Sequence, residues 1–248
     1  MKNLKISIIT VVKNNKDNIE KNILSLINQN YKNYEHIIID GGSNDGTVEV
    51  INKYKKDIKY FISEMDNGIY DAMNKGIDKV DGDIIGILNA DDFYYPNALD
   101  IVNSYFLKYH DIDFLFGSVN KYTLQHGFHP QKIFWTFGFY SSHSVGFFIK
   151  TNSQKKLGYY NTKYKYSSDY DLFFRMIVKF QMKGISTKKN EIMGYFGPDG
   201  ISSRLKYIDY LNENTQIRLD NGQNKFIVWC IHYLRFFKRV FRILKEKD

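Results

Sequence analysis

The first hundred residues alternate between short apolar runs and segments whose apolar side chains recur at helical spacing. The apolar runs are residues 6–12, 36–40, 59–63 and 83–88, and the helical segments begin at residue 17, cover residues 47–54 and pass through residues 70–77. Strands that are apolar on both faces, separated by amphipathic helices, are typical of a parallel sheet with helices on both sides. The pattern therefore predicts an open α/β fold.

Each predicted strand is followed directly by polar, acidic or glycine-rich residues. These strand ends are residues 13–14, 40–43, 64–68 and 89–92. Ligands of open α/β folds bind beyond the carboxyl ends of the strands. Asp, Asn and Gly also favour turns for conformational reasons, which would explain any one of these segments by itself. Four such segments at one edge of a sheet favour a binding site over four unrelated turns.

The chain has 248 residues, of which 43% are hydrophobic and 25% are charged, as in an ordinary folded protein with one main domain. Its single cysteine, Cys230, excludes an intramolecular disulfide and fits a reducing compartment. We see neither a secretory signal nor an apolar run of about 18 residues, so we expect a cytoplasmic protein. The net charge of +8 predicts a polyanionic partner, either ligand phosphates, anionic lipid or nucleic acid.

Two adjacent carboxylates, Asp91 and Asp92, follow the fourth predicted strand. They would repel each other at the edge of the sheet unless a cation compensated them. Carboxylate oxygens select Mg²⁺ or Mn²⁺, and such an ion usually takes one or two protein carboxylates together with substrate phosphates. The alternative is a carboxylate that caps the following turn. We expect one of the two residues to cap the turn and the other to bind the metal.

A helix is predicted to start near Asp169, where an Asp could be an ordinary N-cap. Asp171 and Arg175 lie four residues apart and can pair on that helix. Asp169 would then be free to face a site. A carboxylate near an acceptor hydroxyl is what a direct displacement at an anomeric carbon needs as its general base.

Five stretches together resemble the bacterial family-two glycosyltransferases, which have the GT-A fold and build capsule, O-antigen and exopolysaccharide. They are residues 6–10, 40–47, 64–76, 82–92 and 168–172. In order and spacing they cover roughly residues 4–205. The resemblance implies a GT-A domain with a mostly parallel sheet and flanking helices.

The resemblance also implies roles for the matching positions. These are Thr10 and Asp40 at the nucleotide base, usually uracil, Asp66 and Lys75 along the nucleotide pocket, Asn89 at the ribose with Ala90 beside it, Asp91 at a Mn²⁺ or Mg²⁺ ion, and Asp169 as the base. The chain departs from the family pattern twice. Asn89 stands where the metal motif commonly has an Asp, and Ser168 replaces the usual Glu before the base.

Two further segments match the family. His143 matches a histidine that often precedes an apolar strand, and we assign it a contact with phosphate or acceptor, although a lone histidine is more often structural. Residues 197–203 resemble a segment that closes over the donor diphosphate. The glycines and the proline of that segment would equally suit any surface loop.

The C-terminal segment, residues 223–248, predicts a basic amphipathic helix attached to a catalytic domain of residues 1–222. Basic and aromatic faces together suit binding in the plane of an anionic membrane. The alternative is a helix packed on the catalytic domain with its basic side in solvent. The resemblance favours the membrane, because many such enzymes use polyprenyl-diphosphate-linked acceptors.

We therefore expect an inverting, metal-dependent glycosyltransferase that takes its sugar from a nucleotide-sugar, most simply a UDP-sugar. A sugar nucleotidyltransferase is one alternative, but it would need a glycine-rich loop after the first strand, where residues 13–16 have no glycine. A nucleic-acid-binding protein is the other. Against it, the positive charge gathers at the C-terminus and the strand-end edge is acidic, so we expect no nucleic acid partner.

Overall fold

The computed structural model describes residues 3–135, 139–197 and 206–245. The strands are β1 (Ile6–Val12), β2 (Tyr34–Asp40), β3 (Tyr60–Ser63), β4 (Ile84–Ile87), β5 (Phe93–Tyr94), β6 (Phe114–Phe116), β7 (Ser118–Asn120), β8 (Leu124–Gln125), β9 (Phe147–Lys150), β10 (Gly184–Ser186) and β11 (Ile192–Tyr195). The α-helices are α1 (Lys16–Ile27), α2 (Thr47–Lys53), α3 (Ile69–Ile77), α4 (Ala98–Lys108), α5 (Thr151–Leu157), α6 (Ser168–Phe174), α7 (Tyr207–Asp220) and α8 (Lys225–Lys245).

A seven-stranded sheet with the order β10-β6-β9-β4-β1-β2-β3 forms the centre of the molecule. All its neighbouring pairs are parallel except those of β9, which runs antiparallel to β4 and β6. The register pairs Val12 with Asp40, so β1 and β2 end at the same edge. The predicted mostly parallel α/β sheet with flanking helices is confirmed.

The apolar character of β1 explains why it lies inside this sheet. All seven of its residues are buried. Ile9 belongs to the hydrophobic cluster on one face of the sheet and Ile8 to the cluster on the other. Helix α3 lies so close to β1 that a Cβ on Gly76 would stand 2.4 Å from Cγ2 of Ile9.

A smaller sheet with the order β5-β11-β7-β8 extends the edge where β4 ends. Strand β5 begins directly after Asp92 and pairs antiparallel with β11. The chain leaves β11 toward Gly197, which brings this glycine back beside the two carboxylates. The smaller sheet therefore closes one side of the strand-end edge.

Helix α8 packs against α7 through part of its length. Val228, Ile231 and His232 are buried in this contact, and Nδ1 of His232 lies 2.9 Å from Oγ1 of Thr215. Many of its other apolar side chains remain exposed. Within the described ranges, no helix is long and apolar enough to cross a membrane.

Candidate active site

A cleft of about 520 Å³ opens at the carboxyl ends of the central strands. Three segments line it. They are residues 11–15 and 18, from the end of β1 to the first turn of α1; residues 66, 68, 69 and 72, around the start of α3; and residues 89–91, after β4. We call it the strand-end cleft. Three of the four strand ends singled out by the sequence pattern thus meet at one surface, as a parallel sheet requires.

Asp66 reaches this cleft because the neighbouring loop has no side chain at Gly41. A Cβ on Gly41 would stand 2.3 Å from Oδ2 of Asp66. The other oxygen, Oδ1, accepts a hydrogen bond of 3.0 Å from the N–H of Gly68. Lys75 is not among the residues that line the cleft. Its Nζ forms an ion pair of 2.7 Å with Glu64, and this pair holds the loop that carries Asp66.

Thr10 and Asp40 are fully buried, so neither reaches the surface of the strand-end cleft. The hydroxyl of Thr10 contacts His36 Nε2 at 2.9 Å. Oδ2 of Asp40 accepts hydrogen bonds from the N–H groups of Gly42 and Ser43, at 3.1 and 2.9 Å. In this geometry Asp40 shapes the loop after β2, and a direct contact of Asp40 with a nucleotide base would require that loop to open. Thr10 lies beneath α1, where its hydroxyl also contacts Asn22.

The adjacent carboxylates Asp91 and Asp92 have different surroundings. Asp92 is buried, and its oxygens accept hydrogen bonds from the N–H of Gly197 at 2.7 Å and from the hydroxyl of Ser144. Burial, reinforced by the neighbouring Asp91, raises the pKa of Asp92 to about 8. The side chain of Asp92 is thus bonded within the fold, whereas Asp91 lines the strand-end cleft.

The oxygens near Asp91 fit a hard divalent cation. The side-chain oxygen of Asn89, which also lines the cleft, is buried and has no hydrogen-bond partner, so it is an unused acceptor. Among the described residues no three His, Cys, Asp or Glu side chains cluster as metal ligands. A magnesium-type ion does not require three, since substrate phosphates and water supply the other ligands. Asp91 and Asn89 would hold such an ion; Ala90, between them, packs in the core beneath the cleft.

Asp169 lies in a second cavity of about 580 Å³, which we call the Asp169 cavity. Its Oδ1 accepts a hydrogen bond of 3.2 Å from the hydroxyl of Tyr70, and its Oδ2 accepts one of 3.1 Å from Tyr140. The N–H of Tyr170 also donates to Oδ1. Three donors from different parts of the chain thus orient this carboxylate toward the cavity.

The ion pair predicted between Asp171 and Arg175 is present. Arg175 Nε donates to Oδ2 of Asp171 at 2.9 Å, and the guanidinium also donates to the carbonyl of Leu157 at 2.7 Å. Asp171 is buried and occupied by this pair, while Asp169, two residues earlier, faces the cavity. The two acidic residues of α6 therefore have separate roles.

His143 lines the Asp169 cavity, but most of its ring is buried. Its Nε2 lies 2.7 Å from the hydroxyl of Tyr160, and its ring stacks on Phe147. Burial lowers the pKa of His143, against the opposing effect of Asp169, so the ring is neutral at pH 7. A neutral imidazole supports the tyrosine network around Asp169 and carries no charge for a phosphate.

The structure adds residues that the sequence pattern did not single out. Tyr70 and Tyr140 contact Asp169, and two cations, Lys121 and Arg239, line the same cavity. Arg239 belongs to α8, which the pattern assigned to a separate appendage. Its position in the basic stripe of α8 was the available signal, but only the packing of α8 on α7 shows which side chain reaches the cavity. The segment expected to close over a diphosphate continues at residues 198–203, outside the described residues.

Comparison with known proteins identifies the family. Residues 7–178 match the glycosyl transferase family 2. An uncharacterized glycosyltransferase of Haemophilus influenzae is 38% identical over 108 residues, covering 42% of this chain and 43% of that protein. One of Rickettsia typhi is 30% identical over 186 residues, covering 69% of this chain and 58% of that protein. The chain thus spans less than two thirds of the length of either relative.

Solved structures show the same fold at low sequence identity. S. aureus TarS 1-349 in complex with UDP-GlcNAc superposes with a TM-score of 0.70 at 15% identity, over 92% of this chain and 70% of that one. The mannosyltransferase PcManGT from Pyrobaculum calidifontis, in complex with GDP-Man and Mn²⁺, gives 0.66 at 16% identity, over 94% and 70%. TM-scores of this size show that both share the overall fold of this chain. The chain belongs to the glycosyl transferase family 2 and has the GT-A fold.

Proposed function

We propose that this chain is an inverting, metal-dependent glycosyltransferase. In this proposal the strand-end cleft binds a nucleotide-sugar, with Asp91 at the metal, and the Asp169 cavity binds the acceptor. Asp169 is the general base. The family match favours this function over the sugar nucleotidyltransferase and the nucleic-acid-binding alternatives, as does the lack of glycine in residues 13–16.

One observation carries the proposal. Ile69 lines the strand-end cleft, and its neighbour Tyr70 donates a hydrogen bond to Asp169 in the other cavity. The first turn of α3 therefore links the two sites. Sugar transfer needs the donor and the base within reach of one another. This turn contacts the proposed donor site through Ile69 and the proposed base through Tyr70.

The proposed reaction is a single displacement. A hydroxyl of the acceptor gives its proton to Asp169 as its oxygen forms a bond to the anomeric carbon, and the bond from that carbon to the diphosphate breaks. A single displacement inverts the configuration of the anomeric carbon. A Mn²⁺ or Mg²⁺ ion bound at Asp91 and Asn89 would supply positive charge to the departing diphosphate.

We propose a UDP-sugar as the donor. The likeness to TarS, whose structure contains UDP-GlcNAc, supports this choice, while PcManGT was solved with GDP-Man. The test is a panel of UDP-, GDP- and dTDP-sugars with Mn²⁺, in which released nucleoside diphosphate and thermal stabilisation are measured. We expect UDP-sugars to be preferred, and a preference for GDP- or dTDP-sugars would contradict the proposed donor class.

We further propose that the acceptor is a glycan or a polyprenyl-diphosphate-linked sugar in surface polysaccharide synthesis, and that α8 binds the inner face of the cytoplasmic membrane. Its exposed apolar side chains include Phe226, Leu234, Phe237 and Phe241, and its exposed basic ones include Lys238, Arg242 and Lys245. Such a surface suits an anionic bilayer.

Vesicle sedimentation tests the membrane contact. The full chain should sediment with vesicles that contain phosphatidylglycerol and much less with pure phosphatidylcholine. The double variant Phe237→Ser, Phe241→Ser should weaken sedimentation. Equal sedimentation of the variant and the parent would contradict this surface assignment.

A further inference from the structure

Lys121 is a half-buried cation at the boundary between the two cavities. It directly follows β7 of the smaller sheet and lines the Asp169 cavity. Its Nζ lies 4.2 Å from the centre of the Phe196 ring. The N–H of Phe196 in turn donates a hydrogen bond of 2.8 Å to the carbonyl of Asn120, the residue before Lys121. The ring and the strand therefore hold the ammonium group in one part of the cavity.

The ring next to Lys121 leads directly to the two adjacent carboxylates. Gly197, the residue after Phe196, donates its N–H to Oδ1 of Asp92 at 2.7 Å. A Cβ on Gly197 would stand 3.0 Å from Oδ2 of Asp91, so this segment packs against the carboxylate that lines the strand-end cleft. Burial lowers the pKa of Lys121, and the carboxylates of Asp92 and Asp91 oppose this effect. Lys121 is therefore within electrostatic reach of Asp91, from the side of the Asp169 cavity.

The segment that carries Asp91 offers the strand-end cleft a single carboxylate. Asn89 and Ala90, which line the cleft with it, are uncharged. In the proposed transfer, the bond that breaks adds a negative charge to the phosphate next to the sugar, beyond the charge that the diphosphate already bears. The oxygen that gains this charge had joined the sugar, so it points from the strand-end cleft toward the Asp169 cavity, where Lys121 lies. A cation fixed at this place stabilises the developing charge.

We propose that Lys121 is a further catalytic residue, which binds the phosphate next to the donor sugar from the acceptor side and stabilises it as the leaving group. The electron pair of the broken bond goes to the phosphate oxygen, and Lys121 keeps its proton. This inference rests on the proposed function, because it takes the strand-end cleft as the donor site and the Asp169 cavity as the acceptor site. An ammonium group acts without a bound ion, so part of the affinity for UDP should remain when Mn²⁺ is removed.

Calorimetric titrations of the full chain with UDP and with UMP, both in the presence of EDTA, test the contact without the ion. UDP carries the terminal phosphate and UMP lacks it, so the two affinities isolate the proposed partner of Lys121. Lys121→Met keeps an apolar side chain against Phe196 and removes the charge. It should lose about tenfold in affinity for UDP and little for UMP, because a hydrogen bond between charged groups is lost. Lys121→Arg, which keeps the charge, should recover part of the loss.

Lys108→Met is the matched control. Lys108 also has its Nζ over an aromatic ring, 5.0 Å from the centre of the Tyr109 ring, but it is exposed and is not among the described residues that line either cavity. This variant should bind UDP and UMP as the parent does. With Mn²⁺ and a saturating UDP-sugar, the rate constant of transfer should fall at least about tenfold in Lys121→Met, because the charge on the leaving phosphate is greatest in the transition state. It should stay unchanged in Lys108→Met.

Unchanged UDP affinity in Lys121→Met would overturn the inference. Equal losses for UDP and UMP would also overturn it, because the lysine would then support the fold or the nucleoside and not the terminal phosphate. If the donor panel selects a GDP- or dTDP-sugar, the corresponding diphosphate and monophosphate replace UDP and UMP, so a wrong base does not decide the role of Lys121. A parent chain that binds these nucleotides but transfers sugar from none of the donors would instead contradict the proposed function.

Discussion

The hydroxyl of Tyr70 donates a hydrogen bond of 3.2 Å to Oδ1 of Asp169, across 99 residues of sequence. Tyr70 is buried and stacks on Tyr160 with ring centres 5.6 Å apart. The bond therefore joins a rigid aromatic pair to the proposed base. Because Tyr70 follows Ile69 of the strand-end cleft, the position of the proposed base is tied to the proposed donor site.

Tyr70→Phe should lower the rate constant of sugar transfer by about tenfold, because one hydrogen bond that orients the carboxylate is lost. The Kd for UDP should stay as in the parent. Steady-state transfer and UDP titration measure the two quantities. Tyr159→Phe, which removes an exposed hydroxyl bonded to Asp78, is the control and should leave both unchanged. An unimpaired rate in Tyr70→Phe would show that the bond does not position the base.

Asn89→Asp should restore the second carboxylate that the family's metal motif commonly has. Without metal, the variant should melt at a lower temperature, since the side-chain oxygen of Asn89 is buried and unpaired. With UDP present, the Mn²⁺ concentration for half-maximal stabilisation should fall about tenfold, because the side chains that hold the ion carry one more negative charge. Thermal melts over a Mn²⁺ titration measure both effects. Asp91→Asn should abolish the stabilisation by Mn²⁺, and its persistence would place the ion elsewhere.

Gly41→Ala should weaken UDP binding by about tenfold through a steric effect. The new Cβ would stand 2.3 Å from Oδ2 of Asp66 and 3.3 Å from Cδ of Lys13, so a wall of the cleft must shift. Gly158→Ala is the control. Gly158 has a φ of 81° and no atom within 4 Å of the added Cβ, so this variant should lose about 1 kcal/mol of stability and no UDP affinity. Unchanged UDP affinity in Gly41→Ala would argue against Asp66 in the nucleotide pocket.

The buried His36 should make the fold less stable in acid. Burial lowers its pKa from 6.5 to about 3, so between these values the unfolded chain binds a proton that the folded chain does not. The free energy of unfolding therefore falls as the pH drops below 6.5, by up to about 1.4 kcal/mol per pH unit for this group. The free energy of unfolding, measured with urea between pH 7 and 4, should depend less on pH in His36→Gln than in the parent. An equal dependence on pH in both proteins would contradict the lowered pKa of His36.

The sequence pattern predicted the structure correctly where the interactions join residues that are close in the sequence. The β-branched run of β1 predicted a buried strand, and the four-residue spacing of Asp171 and Arg175 predicted their ion pair. The role predicted for one of the adjacent carboxylates, capping the following turn, does not describe Asp92, because its side chain accepts hydrogen bonds from Ser144 and Gly197, far along the chain.

Contacts between distant segments could not be read from the pattern. Nothing local distinguishes Tyr70 from other aromatic core residues, and only the packing of α3 on α6 brings it to Asp169. The burial of Thr10 likewise depends on its contacts with Asn22 of α1 and His36 of β2. Asp40 is buried beside Ser63 of β3, which donates a hydrogen bond to it. Arg239 is one of several similar basic residues until α8 packs against α7, which selects the one that faces the cavity.

The central claim is that Asp169 is the base of an inverting transfer. The most direct test compares Asp169→Asn with the parent, with transfer from a UDP-sugar, the configuration of the new linkage by nuclear magnetic resonance, and the Kd for UDP measured on both proteins. We predict an inverted anomeric carbon in the parent product, and in the variant a loss of transfer of at least about a hundredfold with an unchanged Kd for UDP. Transfer by Asp169→Asn near the parent rate, or a retained anomeric configuration in the parent product, would contradict the claim.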